Sequence, residues 1–238
     1  MSNSIPKNFR PSISNAFYFI RNELLKKIKK YSPQLTGRML DFGCGSKPYK
    51  SLFTNVSEYI GLDYESEGHA HTNESIDVMY DGKKIPFPDD YFDSVLSSEV
   101  FEHIFNLEEI IPEISRVMKK QAKILITCPF VWQEHEIPVD YARYTQFALK
   151  YLLERKGFRI LAQDKTGDFT MAIYQMRMVY INEHFIPAIP LLGRSKFFRN
   201  NIPPIINPIL NSWFSFWHWV LPKRDVLYLN NVILAEKL

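Results

Sequence analysis

Short apolar runs alternate with helical patterns along the chain from Arg38 onward. Runs bounded by turn residues predict strands buried on both faces, and apolar spacings of three and four residues predict the helices between them. This alternation is the order that builds a parallel sheet covered by helices on both faces. The predicted strands are 38–42, 58–62, 92–97, 123–128 and 158–163, with a weaker one at 76–79 and a terminal one at 226–235.

Three helices are predicted from apolar spacing and capping residues. The first covers 12–31 and carries basic residues on one side, which indicates a solvated face. The second begins at Asn106 and contains Pro112, which removes a helical hydrogen bond and predicts a kink or a late start. The third runs over 145–156, and Gly157 supplies the left-handed residue that ends it.

The stretch from Thr166 to Arg224 breaks this alternation, because it is rich in proline and aromatic residues. Its apolar run at 209–221 is shorter than the roughly 20 residues needed to span a bilayer, so no transmembrane segment is predicted. The segment "NSWFSFWHWVLPKR" has three interpretations: a lid over an acceptor site, core packing, or an aromatic segment in peripheral contact with a membrane. A lid or core packing is favoured.

Length and composition favour one α/β domain, 38–238, with an N-terminal helical extension at 1–37 and an insert at 166–224. The net charge of +3 over 238 residues is too small to favour nucleic acid as a partner. Cys44 and Cys128 lack metal-ligand spacing and predict a reduced, cytoplasmic setting. The oligomeric state stays open.

The segment "LDFGCGS" follows a predicted strand and turns toward a helix. Gly43 and Gly45 would let the backbone approach a ligand closely. A dinucleotide fingerprint requires a third glycine or alanine where this chain has Pro48, which disfavours a nicotinamide oxidoreductase. Asp41 would repel a phosphate and attract an ammonium or sulfonium group. The predicted ligand is therefore a cationic nucleoside.

Two further acidic positions fit a nucleoside. Asp63, followed by Tyr64, ends the second predicted strand, where a carboxylate can accept both ribose hydroxyls. Asp81 precedes Gly82 in a loop, so the carboxylate can accept from an exocyclic amine while the Gly82 N–H donates to a ring nitrogen. This is how adenine would be recognised.

Four segments in order, "LDFGCGS", "YIGLDY", "IPFPDDYFDSVLSSEVFEHI" and "EISRVMKK", resemble the class I S-adenosylmethionine-dependent methyltransferases, in the group called methyltransferase type 11. The similarity covers 38–160. It implies an α/β, Rossmann-like, mostly parallel sheet of seven strands in the order 3-2-1-4-5-7-6, with the last strand antiparallel and a helical, aromatic insert before it. One departure is "MKKQAK", which stands where members commonly have a proline and paired glycines, so that turn is expected to differ.

The resemblance implies S-adenosylmethionine as cofactor and assigns its contacts. Asp41, Gly43 and Gly45 form the first motif, Asp63 with the adjacent Tyr64 holds the ribose, Asp81 and Gly82 contact adenine, and Ser97 and Ser98 lie beside the methionine part.

Candidates for acceptor chemistry lie after the fifth predicted strand, in "PFVWQEHEIPVDYARYT". His135 is a candidate base with an unperturbed pKa of about 6.5, and Asp140 could orient it or hold a substrate hydroxyl. Arg143 belongs to the same cluster, and His103 in "EVFEHI" is a second histidine that could face the methyl group. The alternative is that His135, Asp140 and Arg143 only fasten the loop.

The pattern in this loop also resembles methyltransferases encoded with glycan-building enzymes, which suggests O-methylation of a glycan or a small molecule. Methylation of nitrogen or carbon, and a module that binds the nucleoside without transfer, stay open as alternatives. His69 and His71 lack a third ligand nearby, so no metal is expected.

Overall fold

The structure is a computed structural model that describes residues 4–64, 75–190 and 195–238, so His69 and His71 lie outside the described residues. The chain divides into two compact units. The sheet unit contains Lys27–Asp164 and Asn230–Leu238, and the insert unit contains Pro6–Lys26 and Lys165–Leu229. No helix in the described part of the chain has both the length and the apolar character needed to cross a bilayer.

Seven strands form one sheet. They are β1 Gly37–Phe42, β2 Val56–Tyr64, β3 Val78–Tyr80, β4 Phe92–Ser98, β5 Met118–Pro129, β6 Phe158–Lys165 and β7 Asn230–Lys237. Their order is β3-β2-β1-β4-β5-β7-β6, and β7 runs antiparallel to β5 while β1 to β5 pair in parallel. The predicted fold is thereby confirmed, although β7 begins at Asn230 and not at Val226.

The helices are α1 Tyr18–Tyr31, α2 Leu107–Val117, α3 Gln146–Arg155, α4 Phe169–Val179, α5 Ile186–Ala188 and α6 Lys196–Val220. The prediction of a late start at Pro112 is wrong, because α2 begins at Leu107 and runs through the proline. The predicted limits of α3 are confirmed. Thr145 Oγ1 accepts a hydrogen bond from the Ala148 N–H at 3.2 Å, and Gly157 follows with φ +84°.

The core of the sheet unit is one apolar cluster that joins strands and helices. Buried members include Leu40 of β1, Val95 of β4, Ile124 of β5, Ile110, Ile114 and Val117 of α2, and Leu149 and Leu153 of α3. The helical members recur at spacings of three and four, as expected for helices with one apolar face on a sheet. This packing fixes the ends of the strands, from which the loops of the site begin.

The insert unit has a small aromatic core of its own. The Tyr174 ring of α4 stacks on Phe214 of α6 with centroids 3.9 Å apart, and the Phe19 ring meets Phe214 edge to face. Within "NSWFSFWHWVLPKR", core packing is observed for Phe214 but not for four other aromatic residues. The exposed ones are Trp213, Phe216, Trp217 and Trp219.

Arg116 of α2 holds the segment that leads into β4. Its guanidinium donates to the backbone carbonyls of Ile85 and Phe87, each at 2.9 Å, and to the carboxylates of Glu113 and Asp89. The hydrogen bond from Arg116 lowers the pKa of Glu113, which stays ionised. One planar side chain therefore satisfies two carbonyls and two charges.

We predict that Arg116→Met lowers the free energy of unfolding by about 2 kcal/mol, because two part-buried carbonyls lose their donor and Glu113 loses its partner. Urea denaturation at neutral pH, followed by circular dichroism, measures the change. Arg155→Met is the matched control: the Arg155 guanidinium bonds the exposed Tyr151 hydroxyl, and the expected change is within about 0.5 kcal/mol. Equal stability of both variants would show that the guanidinium does not hold the segment.

Candidate active site

A cavity of about 620 Å³ lies in the sheet unit, at the carboxyl ends of the parallel strands. This is the edge at which open α/β sheets bind ligands. Each of five segments contributes to its described lining: Phe42, Gly43 and Gly45 at the end of β1; Asp63 and Tyr64 of β2; Tyr80 to Lys83 after β3; Glu99, Val100 and His103 to Asn106 after β4, with Glu109 and Ile110 of α2; and Glu136, Val139 and Tyr141 after β5. Five loops that are distant in sequence thus meet at one site.

The glycine turn after β1 forms one wall of the cavity. Gly43 has φ +73°, and a Cβ there would collide with the side chain of Val100. The N–H groups of Gly43 and Cys44 both donate to the Leu62 carbonyl, at 2.9 and 3.1 Å. Only glycine meets both the steric and the conformational demand at this position. The turn therefore lies close against the end of β2 and leaves its other side to a ligand.

Asp63 presents its carboxylate to the cavity at the end of β2. Its Oδ2 accepts from the Gly45 N–H at 2.6 Å, and its Oδ1 accepts from the Tyr64 N–H at 2.8 Å. A carboxylate has two acceptor oxygens and can accept from both hydroxyls of a diol. The residue thus has the chemistry that binding of a ribose requires, and the glycine turn fixes its orientation.

Asp81 and Gly82 occupy the end of β3. Asp81 Oδ1 accepts from the N–H groups of Lys83 and Lys84, at 2.9 and 3.2 Å, and these bonds lower the pKa of the carboxyl. A Cβ on Gly82, which has φ +76°, would approach the Tyr64 ring to 3.1 Å. The aromatic ring, the glycine and the ionised carboxylate fit a flat base that carries an amine.

Asp41, Ser97 and Ser98 are absent from the described residues that line the cavity. Asp41 is buried behind the glycine turn and accepts a hydrogen bond from the Tyr59 hydroxyl, and burial raises its pKa to about 7. Ser97 is also buried, and Ser98 Oγ pairs with Thr127 Oγ1 at 2.9 Å. The next residue, Glu99, lines the cavity instead.

Two histidines meet at the opposite end of the site. His103 ends a short 3-10 turn after β4, and its ring lies edge to face with that of His135, with centroids 4.7 Å apart. His103 Nδ1 is 2.8 Å from the Val139 carbonyl, and His135 Nδ1 is 3.1 Å from Asp140 Oδ2. Because these oxygens accept, each Nδ1 donates, and in the neutral imidazole each Nε2 then carries a lone pair.

Glu102 lies between the two Nε2 atoms. Its side chain is fully buried, and neither carboxylate oxygen has a hydrogen-bond partner among the described residues. Oε1 is 3.8 Å from His103 Nε2 and 4.0 Å from His135 Nε2. Burial, and then the charge of Glu99, raise the pKa of Glu102 well above its usual range. Neither Glu102 nor Glu99 was predicted as a site residue from the sequence, although both belong to the "SSEVFEHI" motif.

Asp140 and Arg143 form a forked ion pair that fixes the loop after β5. The two guanidinium nitrogens of Arg143 donate to the two carboxylate oxygens at 2.6 and 2.7 Å, and the same group donates to carbonyls of the loop, including that of Gln133. Burial would raise the pKa of Asp140, but Arg143 and the His135 N–H lower it to about 2. For His135, burial and then the neighbouring His103 lower the pKa. Arg143, Asp140 and His135 are all absent from the described lining of the cavity, and the ion pair contacts His135 and the loop.

Part of the chain is similar in sequence to known methyltransferases. Residues 40–126 match the family model described as a methyltransferase domain. A probable S-adenosylmethionine-dependent methyltransferase of Mycolicibacterium smegmatis is 27% identical over 119 residues, which cover 48% of this chain and 46% of that protein. The human mitochondrial ubiquinone biosynthesis O-methyltransferase is 33% identical over 46% of this chain and 34% of its own length.

One solved structure shows the likeness of fold over nearly the whole chain. An S-adenosylmethionine-dependent methyltransferase from Archaeoglobus fulgidus matches with a TM-score of 0.55 at 20% identity, covering 97% of each chain. The chain spans about half the length of the first curated relatives it matches. Residues 40–126 thus match a methyltransferase domain, and the observed strand order is the one that the resemblance to class I S-adenosylmethionine-dependent methyltransferases implies.

Proposed function

We propose that the sheet unit is a methyltransferase that binds S-adenosylmethionine and acts on a hydroxyl of a small molecule or glycan. The observation that carries the proposal is a single cavity with two chemically distinct ends. One end holds ionisable acceptors and glycine backbone suited to a nucleoside, and the other is lined by His103, which lies beside Glu102 and His135. Retention of two buried, unpaired cysteines supports a reduced, cytoplasmic setting.

Each residue at the nucleoside end has a proposed role in binding. Asp63 accepts from the ribose hydroxyls, Asp81 accepts from the adenine amine, and the Gly82 N–H donates to a ring nitrogen. When bound, S-adenosylmethionine supplies an electrophilic methyl group on a sulfonium. Asp41, buried behind the turn, contributes negative potential at longer range and not by direct contact.

The acceptor end favours oxygen over nitrogen. A neutral amine attacks without losing a proton first, whereas a hydroxyl is a poor nucleophile until its proton is taken up. His103 lines the cavity, and its Nε2 can accept the hydroxyl proton. Asp140 and Arg143 orient His135, whose Nε2 is a second possible proton acceptor. The main alternatives are transfer to nitrogen or carbon, and a module that binds the nucleoside without transfer.

We predict that calorimetric titration shows saturable binding of both S-adenosylmethionine and S-adenosylhomocysteine, and that Asp63→Ala weakens both by about 10- to 100-fold. The reason is the loss of charge-assisted hydrogen bonds worth about 1.5–3 kcal/mol. Asp225→Ala, an exposed aspartate of the insert unit, should bind as the wild type does. NAD should not bind. Failure of both sulfur ligands to bind would remove the proposed cofactor site.

We predict that His103→Gln and His135→Gln each lower the rate of methyl transfer by about 100-fold, because a positioned proton acceptor is lost. Transfer of a labelled methyl group to a panel of hydroxyl-bearing glycans and metabolites provides the assay. The affinity for S-adenosylhomocysteine should stay unchanged, and His184→Gln in the insert unit is the matched control.

Three outcomes would contradict this assignment in different ways. Saturable cofactor binding with no transfer to any acceptor would favour the binding module. A methylated nitrogen, with little effect of either substitution, would favour the amine alternative. Full turnover by both variants on a hydroxyl would remove the histidines from the mechanism.

A further inference from the structure

Glu102 is a buried carboxylate in the sheet unit. The carboxylate has no exposed surface, and among the described residues neither oxygen receives a hydrogen bond. Buried carboxylates in proteins are almost always paired, hydrogen-bonded or bound to a metal ion. Among the described residues, Glu102 therefore lacks the partner that a buried carboxylate usually has.

The two histidines next to Glu102 are oriented as metal ligands usually are. Both hold the Nδ1 proton in a hydrogen bond, His103 to a backbone carbonyl and His135 to a carboxylate, and both leave Nε2 without a proton. Metal-binding histidines characteristically donate their second N–H to a carboxylate or carbonyl, which fixes the tautomer and the ring plane. Arg143 in turn fixes the carboxylate of Asp140. The outer contacts of a metal site are thus already in place.

We propose that Glu102, His103 and His135 bind a divalent transition-metal ion. One ligand atom from each residue lies within 4.8 Å of the other two. Two imidazole nitrogens and one carboxylate oxygen form a ligand set common to catalytic zinc and non-haem iron sites. Bond lengths of about 2.0–2.1 Å to zinc would require these atoms to move closer by several tenths of an ångström. The proposal replaces the expectation that the chain holds no metal.

The proposed ion would have an open position toward the cavity, since His103 and Glu136 both line it. Glu136 Oε2 lies 3.7 Å from His103 Nε2, beside this open position. An acceptor hydroxyl bound at the open position would lose its proton more readily, because a metal ion lowers the pKa of a coordinated oxygen. This role rests on the proposed function, whereas binding of the ion does not.

We expect one Zn²⁺ per chain when the tag-free protein, first dialysed against a chelator, is titrated calorimetrically. Co²⁺ should give the visible absorption of a site with low coordination number. Glu102→Gln and His135→Gln should each weaken Zn²⁺ binding by at least about 100-fold, and Asp140→Asn by about 10- to 100-fold. His184→Gln should bind as the wild type does, and circular dichroism checks the fold of each variant.

Two results would overturn the metal site: no stoichiometric binding by the wild type, or unchanged binding by folded His135→Gln protein. Titration of the metal-free protein with S-adenosylhomocysteine separates this proposal from the proposed function. Cofactor binding without zinc binding leaves the methyltransferase and removes the metal. Zinc binding without cofactor binding leaves the metal site and removes the methyltransferase.

Helix α6 of the insert unit exposes its apolar face and buries polar residues, the reverse of the usual pattern. The exposed face bears a stripe of apolar residues at helical spacing, with 44% to 67% of each side chain's surface accessible: Ile205, Ile209, Trp213, Phe216, Trp217 and Val220. The opposite face buries Asn207 and Asn211 at 1% and 0% exposure. Large exposed apolar patches usually mark an interaction surface.

Hydrogen bonds of the insert unit hold α6 in this orientation. The Asn207 amide donates to the Ser14 carbonyl at 3.1 Å and to Asn182 Oδ1 at 3.0 Å. The Asn211 amide donates to the Ile13 carbonyl at 2.7 Å. Turning the stripe inward would break these buried bonds, so the stripe faces outward as a consequence of the sequence.

The charges around the stripe indicate an anionic partner. Residues 184–224 contain no aspartate or glutamate. Exposed cations flank the stripe: Lys196 and Arg199 precede it, and Lys223, which also lies 3.7 Å from Asp168, and Arg224 follow it. Tryptophan and phenylalanine beside lysine and arginine are the residues that settle at the boundary between lipid headgroups and acyl chains.

From this surface we infer a second proposal: the stripe of α6 docks in the interface of a membrane that contains anionic phospholipid. The 25 residues of α6 would lie along the surface, with the aromatic side chains inserted among the acyl chains and the flanking cations at the phosphates. A second copy of the chain would also cover the stripe, but the cations that flank its stripe would repel those of the first copy. The charge therefore favours lipid.

We expect the protein to sediment with vesicles of phosphatidylcholine and 30% phosphatidylglycerol, and to bind pure phosphatidylcholine at least about tenfold more weakly. The triple variant Trp213→Ser, Phe216→Ser, Trp217→Ser should lose at least about tenfold in partitioning. Lys223→Glu with Arg224→Glu should lose most of the preference for the anionic lipid. Phe147→Ser with Tyr151→Ser, which removes exposed aromatic residues of α3, is the control and should bind normally.

The membrane proposal falls if the wild type binds neither vesicle, or if the folded triple variant binds as well as the wild type. It also falls if light scattering shows a dimer that the triple variant breaks while neither protein binds vesicles. In that case a second copy of the chain covers the stripe.

Discussion

The site depends on one constraint, the shared direction of β1 to β4 in the sheet. Parallel strands bring their carboxyl ends to one edge, so residues far apart in sequence meet there. Gly43, Asp63, Gly82 and Glu99 each stand at the end of a different strand. The glycine turn can lie against β2 only because the sheet holds both strand ends, and the Gly45 N–H then orients Asp63. The nucleoside end of the cavity is thus a direct product of strand order.

Much of the fold could be predicted from the sequence, because buried parallel strands leave continuous apolar runs and α3 carries a clear cap and stop. The strand order could not be derived from periodicity and came from the resemblance to a family. Gly43 and Asp63, which the resemblance assigns to the cofactor, belong to the cavity lining. Ser97 and Ser98 do not, because the last residues of a strand alternate between faces and only register decides which side chain points to the cavity.

Helix α6 shows a second limit of prediction from the pattern. Hydrophobicity alone predicts that its aromatic residues are buried, since apolar surface usually leaves water. Here the buried positions belong to Asn207 and Asn211, whose amides satisfy backbone carbonyls that would otherwise lack donors. Backbone groups of residues 13–15, nearly 200 positions earlier, decide the orientation of the helix. A sequence pattern cannot carry that information.

The acceptor end of the cavity differs physically from the nucleoside end. Asp63 and Asp81 receive backbone N–H bonds, whereas Glu102 is buried beside two imidazoles and neither of its oxygens receives a hydrogen bond from the described residues. An arrangement of that kind is unstable unless something positive occupies it, either a proton on the carboxylate or a metal ion between the three side chains. Arg143 cannot supply that charge directly, because its guanidinium is committed to Asp140 and to loop carbonyls. The loop after β5 therefore orients His135 beside His103 and the Glu102 carboxylate, next to the cavity. Whether a proton or a metal ion binds between these three side chains decides how an acceptor would be activated.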